Sequence, residues 1–170
     1  MTQGVVTTGI AGLDTVLRGG LPQSRLYLLE GQPGSGKTTL ALQFLLHGAA
    51  QGESCLYITL SETADELSEV ARSHGWSLDP LHLFELASAQ EVLGEDRQQS
   101  VLHPWEVELD GTIKLIQAEV ERVKPTRLVF DSLSELRLLA QDSLRYRRQV
   151  LALKQYFAPR NITVFLVDDL

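Results

Sequence analysis

The run Gly31-Gln32-Pro33-Gly34-Ser35-Gly36-Lys37-Thr38 has the spacing G-x-x-x-x-G-K-[ST] of a phosphate-binding loop. Each fixed position has a chemical reason. Gly31, Gly34 and Gly36 allow backbone conformations closed to other residues, so successive N–H groups can turn inward onto phosphate oxygens. The helix expected from Lys37 onward aims its positive end at the same oxygens. Lys37 adds a mobile charge for the β- and γ-phosphates, and the Thr38 hydroxyl is suited to ligate Mg²⁺. Gln32, Pro33, Ser35 and Thr39 complete the expected nucleotide contact. The implied ligand is ATP or a close relative, bound with Mg²⁺.

Such a loop needs an acidic partner at the end of a second buried strand. Leu128-Val129-Phe130 runs into Asp131, which is placed to hold the Mg²⁺ through a water or, with Ser132, to cap the helix that follows. Hydrolysis also needs a group to orient or deprotonate water. Glu62, just after the run Ser54–Leu60, is the candidate, beside a plainer reading as a first-turn glutamate favoured by the helix dipole. Lys37 and Glu62 are thus the expected catalytic pair. Asp168 ends the last apolar run and is a candidate γ-phosphate sensor, or part of a strand-end turn with Asp169.

These residues need a frame. Strand-like runs at Arg25–Glu30, Ser54–Leu60, Leu81–Leu86, Arg127–Ser132 and Ile162–Asp168 are short and nearly continuously apolar, as strands buried on both faces are. Helical patterns lie between them. Lys37–Ala50 follows the phosphate loop. Thr63–His74 opens with a capping-box pair, Thr63 and Glu66, and ends at Gly75. Asp110–Lys124 carries Ile113, Ile116 and Val120 on one face and stops before Pro125. Ser143–Ala158 precedes Pro159. The polar stretch Gln90–Leu109 reads as a surface loop. Strand-helix alternation means right-handed βαβ units, hence a three-layer α/β fold with a mostly parallel sheet. The chain stops at Leu170 directly after its fifth strand-like run, so it reads as a single domain, residues 1–170, incomplete at its C-terminal end.

Composition narrows the function. With 170 residues, 44% hydrophobic and 22% charged, the chain suits one soluble globular domain. A formal net charge of -7 repels phosphate backbones and weighs against nucleic acid as a partner. Arg145, Arg147 and Arg148 form a local basic cluster, read as a solvated face ahead of a channel lining or partner contact. The single cysteine, Cys55, excludes an intrachain disulfide and reads as a buried inert thiol. His47, His74, His82 and His103 lack metal-ligand spacing, and Trp76 and Trp105 read as packing or loop anchors. Neither a signal peptide nor a run approaching about 18 apolar residues is visible, so a cytoplasmic location is expected and a membrane is not.

Thr8-Gly9-Ile10-Ala11-Gly12-Leu13-Asp14, Gly19-Gly20-Leu21-Pro22 and the phosphate loop together resemble the opening of RecA-superfamily ATPases of the KaiC type. The likeness continues through Tyr57-Ile58-Thr59-Leu60-Ser61-Glu62-Thr63, His74-Gly75-Trp76 and Phe130-Asp131-Ser132. The resemblance implies a RecA-like sheet in which the run Ile162–Asp168 lies between the phosphate-loop strand and the Asp131 strand. It implies ring-forming homo-oligomers, often hexamers, with ATP between subunits. Some relatives run slow ATPase clocks, some phosphorylate themselves and others act on DNA. The family's paired catalytic glutamates correspond here to Ser61-Glu62, leaving one carboxylate. Its basic residues that reach into a neighbour's site lie beyond residue 170. The expectation is a Mg²⁺-dependent, slow ATPase serving as a regulatory or signalling switch. The alternatives are a non-hydrolysing nucleotide-responsive module and a DNA-recombination accessory.

Overall fold

The computed structural model describes residues 4–86 and 104–170, with residues 104–108 described by their backbone alone. The chain order is β1 (Val5–Val6), α1 (Ala11–Val16), β2 (Leu21–Pro22), β3 (Leu26–Gly31), α2 (Lys37–Ala50), β4 (Cys55–Thr59), α3 (Ala64–Ser73), β5 (His82–Glu85), α4 (Pro104–Val123), β6 (Arg127–Asp131), α5 (Leu133–Ala140), α6 (Ser143–Phe157) and β7 (Thr163–Asp169). β1 and β2 pair as a small antiparallel ribbon. The other strands form a five-stranded sheet in the order β3-β7-β6-β4-β5, and every pairing in it is parallel. The strand near the C-terminus therefore lies between the phosphate-loop strand and the Asp131 strand, as the family likeness implied.

Period-two side-chain alternation decides which residue meets which layer. Leu56, Ile58, Leu128, Phe130, Val164 and Leu166 face one side, where α4, α5 and α6 pack with Ile113, Ile116, Val120, Leu136, Leu153 and Phe157. Cys55, Tyr57, Val129, Phe165 and Val167 face the other, against Ala41, Leu42, Phe44 and Leu45 of α2 and Leu67 and Ala71 of α3. The three central strands, β4, β6 and β7, are buried on both faces almost throughout, which explains why their sequences do not alternate. Phe44 and Phe165 stack at 4.1 Å and fix α2 to the sheet.

Local signals set several boundaries. The Thr63 hydroxyl accepts from the Glu66 amide, and the Glu66 carboxylate accepts from the Thr63 amide, so the expected capping box forms at α3. α2 spans the predicted residues. One expectation is corrected: Pro104–Leu109 is helical, so α4 begins well before Asp110. Proline at a first helical position gives up no hydrogen bond, and Leu109 joins Ile113, Ile116 and Val120 in the core. The rest of the expected loop and His103 lie outside the described residues, and the side chain of Trp105 is likewise not described. The short helices α1 and α5 and the β1–β2 ribbon are additions; pieces of that length carry too few turns to show a period.

One buried cation ties the far edge of the sheet together. Arg127 opens β6 and is 1% exposed. Its guanidinium donates to both Glu53 carboxylate oxygens at 3.0 and 2.6 Å, to Gln51 Oε1 at 3.1 Å, to Phe44 O at 3.1 Å and to Thr7 O at 2.7 Å. It thereby joins β6, α2, the turn after α2 and the N-terminal segment. Glu53 is held below the ordinary glutamate range, chiefly by the Arg127 hydrogen bonds. Gly48 of α2 makes room for this side chain, since a Cβ there would lie 2.5 Å from Arg127 Cδ and Nε. Gly48→Ala is therefore expected to destabilise the fold by about 1–3 kcal/mol in urea titration. Gly12→Ala in α1, where a Cβ meets nothing within 4 Å, should leave stability unchanged or raise it. Equal destabilisation by the two would remove the steric account.

Candidate nucleotide-binding site

Parallel register brings the C-terminal ends of β3, β7, β6 and β4 to one edge. Gly31 lies opposite Asp169, Asp131 opposite Val167, and Thr59 opposite Asp131. From this edge the loop Gly31–Gly36 rises and turns into α2. Gly34 and Gly36 have φ values of 80° and 90°, a region that disfavours any side chain. Gly36 forms the N-cap of α2, and Lys37 and Thr38 are its first two residues.

The Lys37 ammonium is drawn back over the loop. It donates to Gly31 O at 2.8 Å and Gln32 O at 2.9 Å, and it pairs with Asp169 Oδ1 at 2.9 Å. The Ser35 amide also donates to Gln32 O, so this carbonyl organises the turn. Thr39, one turn-position further on, points elsewhere: its hydroxyl lies 3.5 Å from His74 Nε2, and His74 stacks on Trp76 at 4.7 Å. Pro33 sits at the exposed crest of the loop.

Asp131 meets a buried phenol. Tyr57 is fully buried, and its hydroxyl donates to Asp131 Oδ2. Burial pushes the Asp131 carboxyl above its ordinary range, and the Asp169 charge adds to this while Tyr57 and Lys37 oppose it. The Asp131–Ser132 peptide bond is cis.

Glu62 stands at the neighbouring strand end. The Thr59 hydroxyl donates to Glu62 O at 2.8 Å and accepts from the Glu62 amide at 2.9 Å, a reciprocal pair that fixes the turn leaving β4. The Glu62 Oε2 atom is buried without a hydrogen-bond partner. Its carboxyl is raised above the ordinary range, first by burial and then by the charges of Asp131, Glu66 and Asp169. A buried, unpartnered carboxylate oxygen is costly to the fold.

Asp168 and Asp169 separate in role. The Asp168 side chain turns toward α5, accepting from the Ser134 hydroxyl at 2.6 Å and pairing with Arg137 at 2.7 Å. Asp169 is the residue that reaches the phosphate loop, through Lys37. Other readings are simple to report. Burial pushes the Cys55 thiol up to about 12, so it is inert at neutral pH. Asp142 caps α6, accepting from the Leu144 and Arg145 amides, and the Arg145 and Arg148 charges help hold its carboxyl low.

A match to the family described as "ATPase: KaiC" extends over residues 6–170. The chain belongs to the KaiC ATPase family. A UPF0273 protein of Pyrococcus horikoshii is 28% identical over 170 residues, covering 96% of this chain and 68% of that protein. A circadian clock oscillator protein KaiC of Prochlorococcus marinus is 34% identical over 173 residues; the chain spans 33% of its length. The crystal structure of a KaiC-like protein from Pyrococcus horikoshii superposes with a TM-score of 0.79 at 26% identity, covering 98% of this chain and 71% of the other. The fold is the three-layer RecA-like one, and the family is one of nucleotide-binding ATPase domains. Among the described residues, no helix is long and apolar enough to cross a membrane.

The residues present fit the magnesium ion that KaiC-type ATPases usually carry. Thr38, in the first turn of α2, and Asp131, at the end of β6, offer the hard oxygens such an ion takes. Mg²⁺ is commonly held by one or two protein oxygens together with phosphates.

Sequence reasoning passed over Tyr57 and gave Asp169 no role of its own. A tyrosine in a strand read as buried on both faces needs a polar partner, and that was the available signal for Tyr57. The Asp14 carboxylate is a third omission. It accepts from the Thr8 amide and hydroxyl and the Gly9 amide at 2.7, 2.8 and 3.2 Å, which gives the opening Thr8–Asp14 motif a structural purpose.

The raised Glu62 carboxyl makes a stability prediction. A carboxyl whose folded value exceeds its unfolded one stabilises the fold while protonated, and that contribution is lost as pH rises through the folded value. Glu62→Gln is therefore expected to melt a few degrees above the parent at pH 8, with the gap closing below about pH 4. Thermal melts across this range check it; a lower melting temperature at pH 8 contradicts the burial argument.

Proposed function

We propose that the chain binds Mg-ATP at Gly31–Thr39 and hydrolyses it slowly as one unit of a ring-forming KaiC-type ATPase used as a regulatory or signalling switch. The observation carrying this reading is the convergence, at one sheet edge, of Lys37, Thr38, Asp131 and a Glu62 oxygen that is buried without a partner. In this reading the loop amides of Gln32 to Thr38 and the Lys37 ammonium hold the phosphates. Thr38 holds the metal directly and Asp131 through a water. Glu62 orients the attacking water and takes its proton; a carboxyl raised above its ordinary range is a stronger base than an ordinary one. When bound, the Mg²⁺ supplies charge neutralisation between β- and γ-phosphate oxygens.

Asp169 supports the switch aspect. Its carboxylate and the incoming phosphates compete for the same ammonium, so nucleotide binding exchanges one ion pair for another and frees the end of β7. Asp168 then acts on the α5 side through Ser134 and Arg137 rather than as a γ-phosphate sensor. Family membership supports homo-oligomerisation, for which a hexameric ring is the proposed form; a cytoplasmic setting and a protein signalling partner complete the proposal. The net charge of -7 argues against a DNA substrate. A second reading, a nucleotide-responsive module that turns over no ATP, is favoured by Ser61 standing where the family likeness puts a second glutamate.

Two measurements separate these readings. Lys37→Ala should weaken ATP binding at least tenfold by calorimetry, as loss of a charge-assisted phosphate contact does. Unchanged affinity in that variant would falsify the phosphate-site reading. Glu62→Gln should bind ATP like the parent while steady-state phosphate release falls about 10²- to 10⁴-fold. Equal release by variant and parent takes Glu62 out of the mechanism, and an inactive parent that still binds Mg-ATP selects the non-hydrolysing module.

A further inference from the structure

Tyr57 is an expensive choice for its position. Its ring lies fully buried between α2 and the sheet, in a layer with Leu42, Phe44, Leu45, Val129 and Phe165. Phenylalanine would fill that layer equally well and would bring no polar atom into it. A buried hydroxyl must be hydrogen-bonded to be tolerated, and this one is. It donates to Asp131 Oδ2 and so ties the middle of β4 to the end of β6.

We propose that the Tyr57 hydroxyl is a positioning group for the divalent cation, acting through the Asp131 carboxylate. The inference rests on the Mg-nucleotide reading above. Asp131 is 7% exposed and ends a strand, so only rotation about its side-chain bonds is left to set. With Oδ2 tied to the phenol, that rotation is fixed and Oδ1 is the oxygen left for the metal's water. Partners that orient metal-ligating carboxylates in this way are worth roughly 10- to 100-fold in metal affinity.

Tyr57→Phe keeps the ring and removes the hydrogen bond. With ADP as the nucleotide and Mn²⁺ as a spectroscopically visible substitute for Mg²⁺, electron paramagnetic resonance titration should give roughly tenfold weaker Mn²⁺ binding to the ADP complex. ADP affinity measured by calorimetry in EDTA should be unchanged, since the phenol touches no phosphate-loop amide. An Asp131→Asn variant should also lose Mn²⁺ affinity, and adding Tyr57→Phe to it should cost little more, because the phenol acts through a carboxylate no longer there. Equal Mn²⁺ affinity in parent and Tyr57→Phe overturns the proposal while leaving the nucleotide site standing. Fully additive losses in the double variant also overturn it, since Tyr57 would then act by another route. A parent that binds no ADP, or binds it with no Mn²⁺ dependence, overturns both this inference and the reading it rests on.

Discussion

In a parallel sheet every strand runs out at the same edge, and the rest of this molecule depends on that constraint. The pairings Glu30 with Asp168, Gly31 with Asp169, and Thr59 with Asp131 align four strand ends contributed by segments far apart in the chain. Register here is held by the core on both faces. A slip of β6 by one residue would send Leu128 and Phe130 to the α2 side and Val129 to the other, disrupting two well-packed layers at once. The position of Asp131 relative to the phosphate loop is thus fixed by hydrophobic packing well away from it.

That edge collects more negative than positive charge. Asp131, Glu62 and Asp169 act on one another across it, and Lys37 is the cation set among them. Burial and mutual repulsion hold the Asp131 and Glu62 carboxyls above their ordinary range, a condition unfavourable to the fold by itself. On the proposed function, a divalent cation with polyphosphate would turn the same arrangement to advantage, because the carboxylates would gain a counter-charge while the loop amides and Lys37 received the anion. The aliphatic layers on both faces offset the cost of that edge to the fold.

β6 presents both solutions to a buried charge. At its start, Arg127 uses all its donors in five hydrogen bonds and welds the N-terminal segment, α2 and the following turn into one unit. At its end, Asp131 has one oxygen held by the buried Tyr57 hydroxyl. A guanidinium with every donor used anchors the start of the strand, and a carboxylate held by a phenol stands at its end. Asp168 and Asp169 divide the end of β7 in a similar way, one carboxylate engaged with α5 and the next with the phosphate loop.

The sequence by itself determined whatever is local. The glycine spacing of the phosphate loop, the extent of α2, the Thr63–Glu66 capping box and the five apolar runs were all legible, because each depends on residues a few positions apart. The family likeness added the place of the last strand, between the phosphate-loop strand and the Asp131 strand, which periodicity cannot supply. Short α1 and α5 and the start of α4 were not legible, since a turn or two of helix shows no period and Pro104 reads as a breaker until its first-turn position is known. Only the tertiary structure decided which carboxylate meets which cation. Asp168 and Asp169 are chemically identical neighbours, and strand alternation together with the packing of α5 sends one to Arg137 and the other to Lys37. Tyr57 and Arg127 likewise take their meaning from partners 74 residues distant in the chain, Asp131 and Glu53, a separation at which only the folded sheet can bring two groups together.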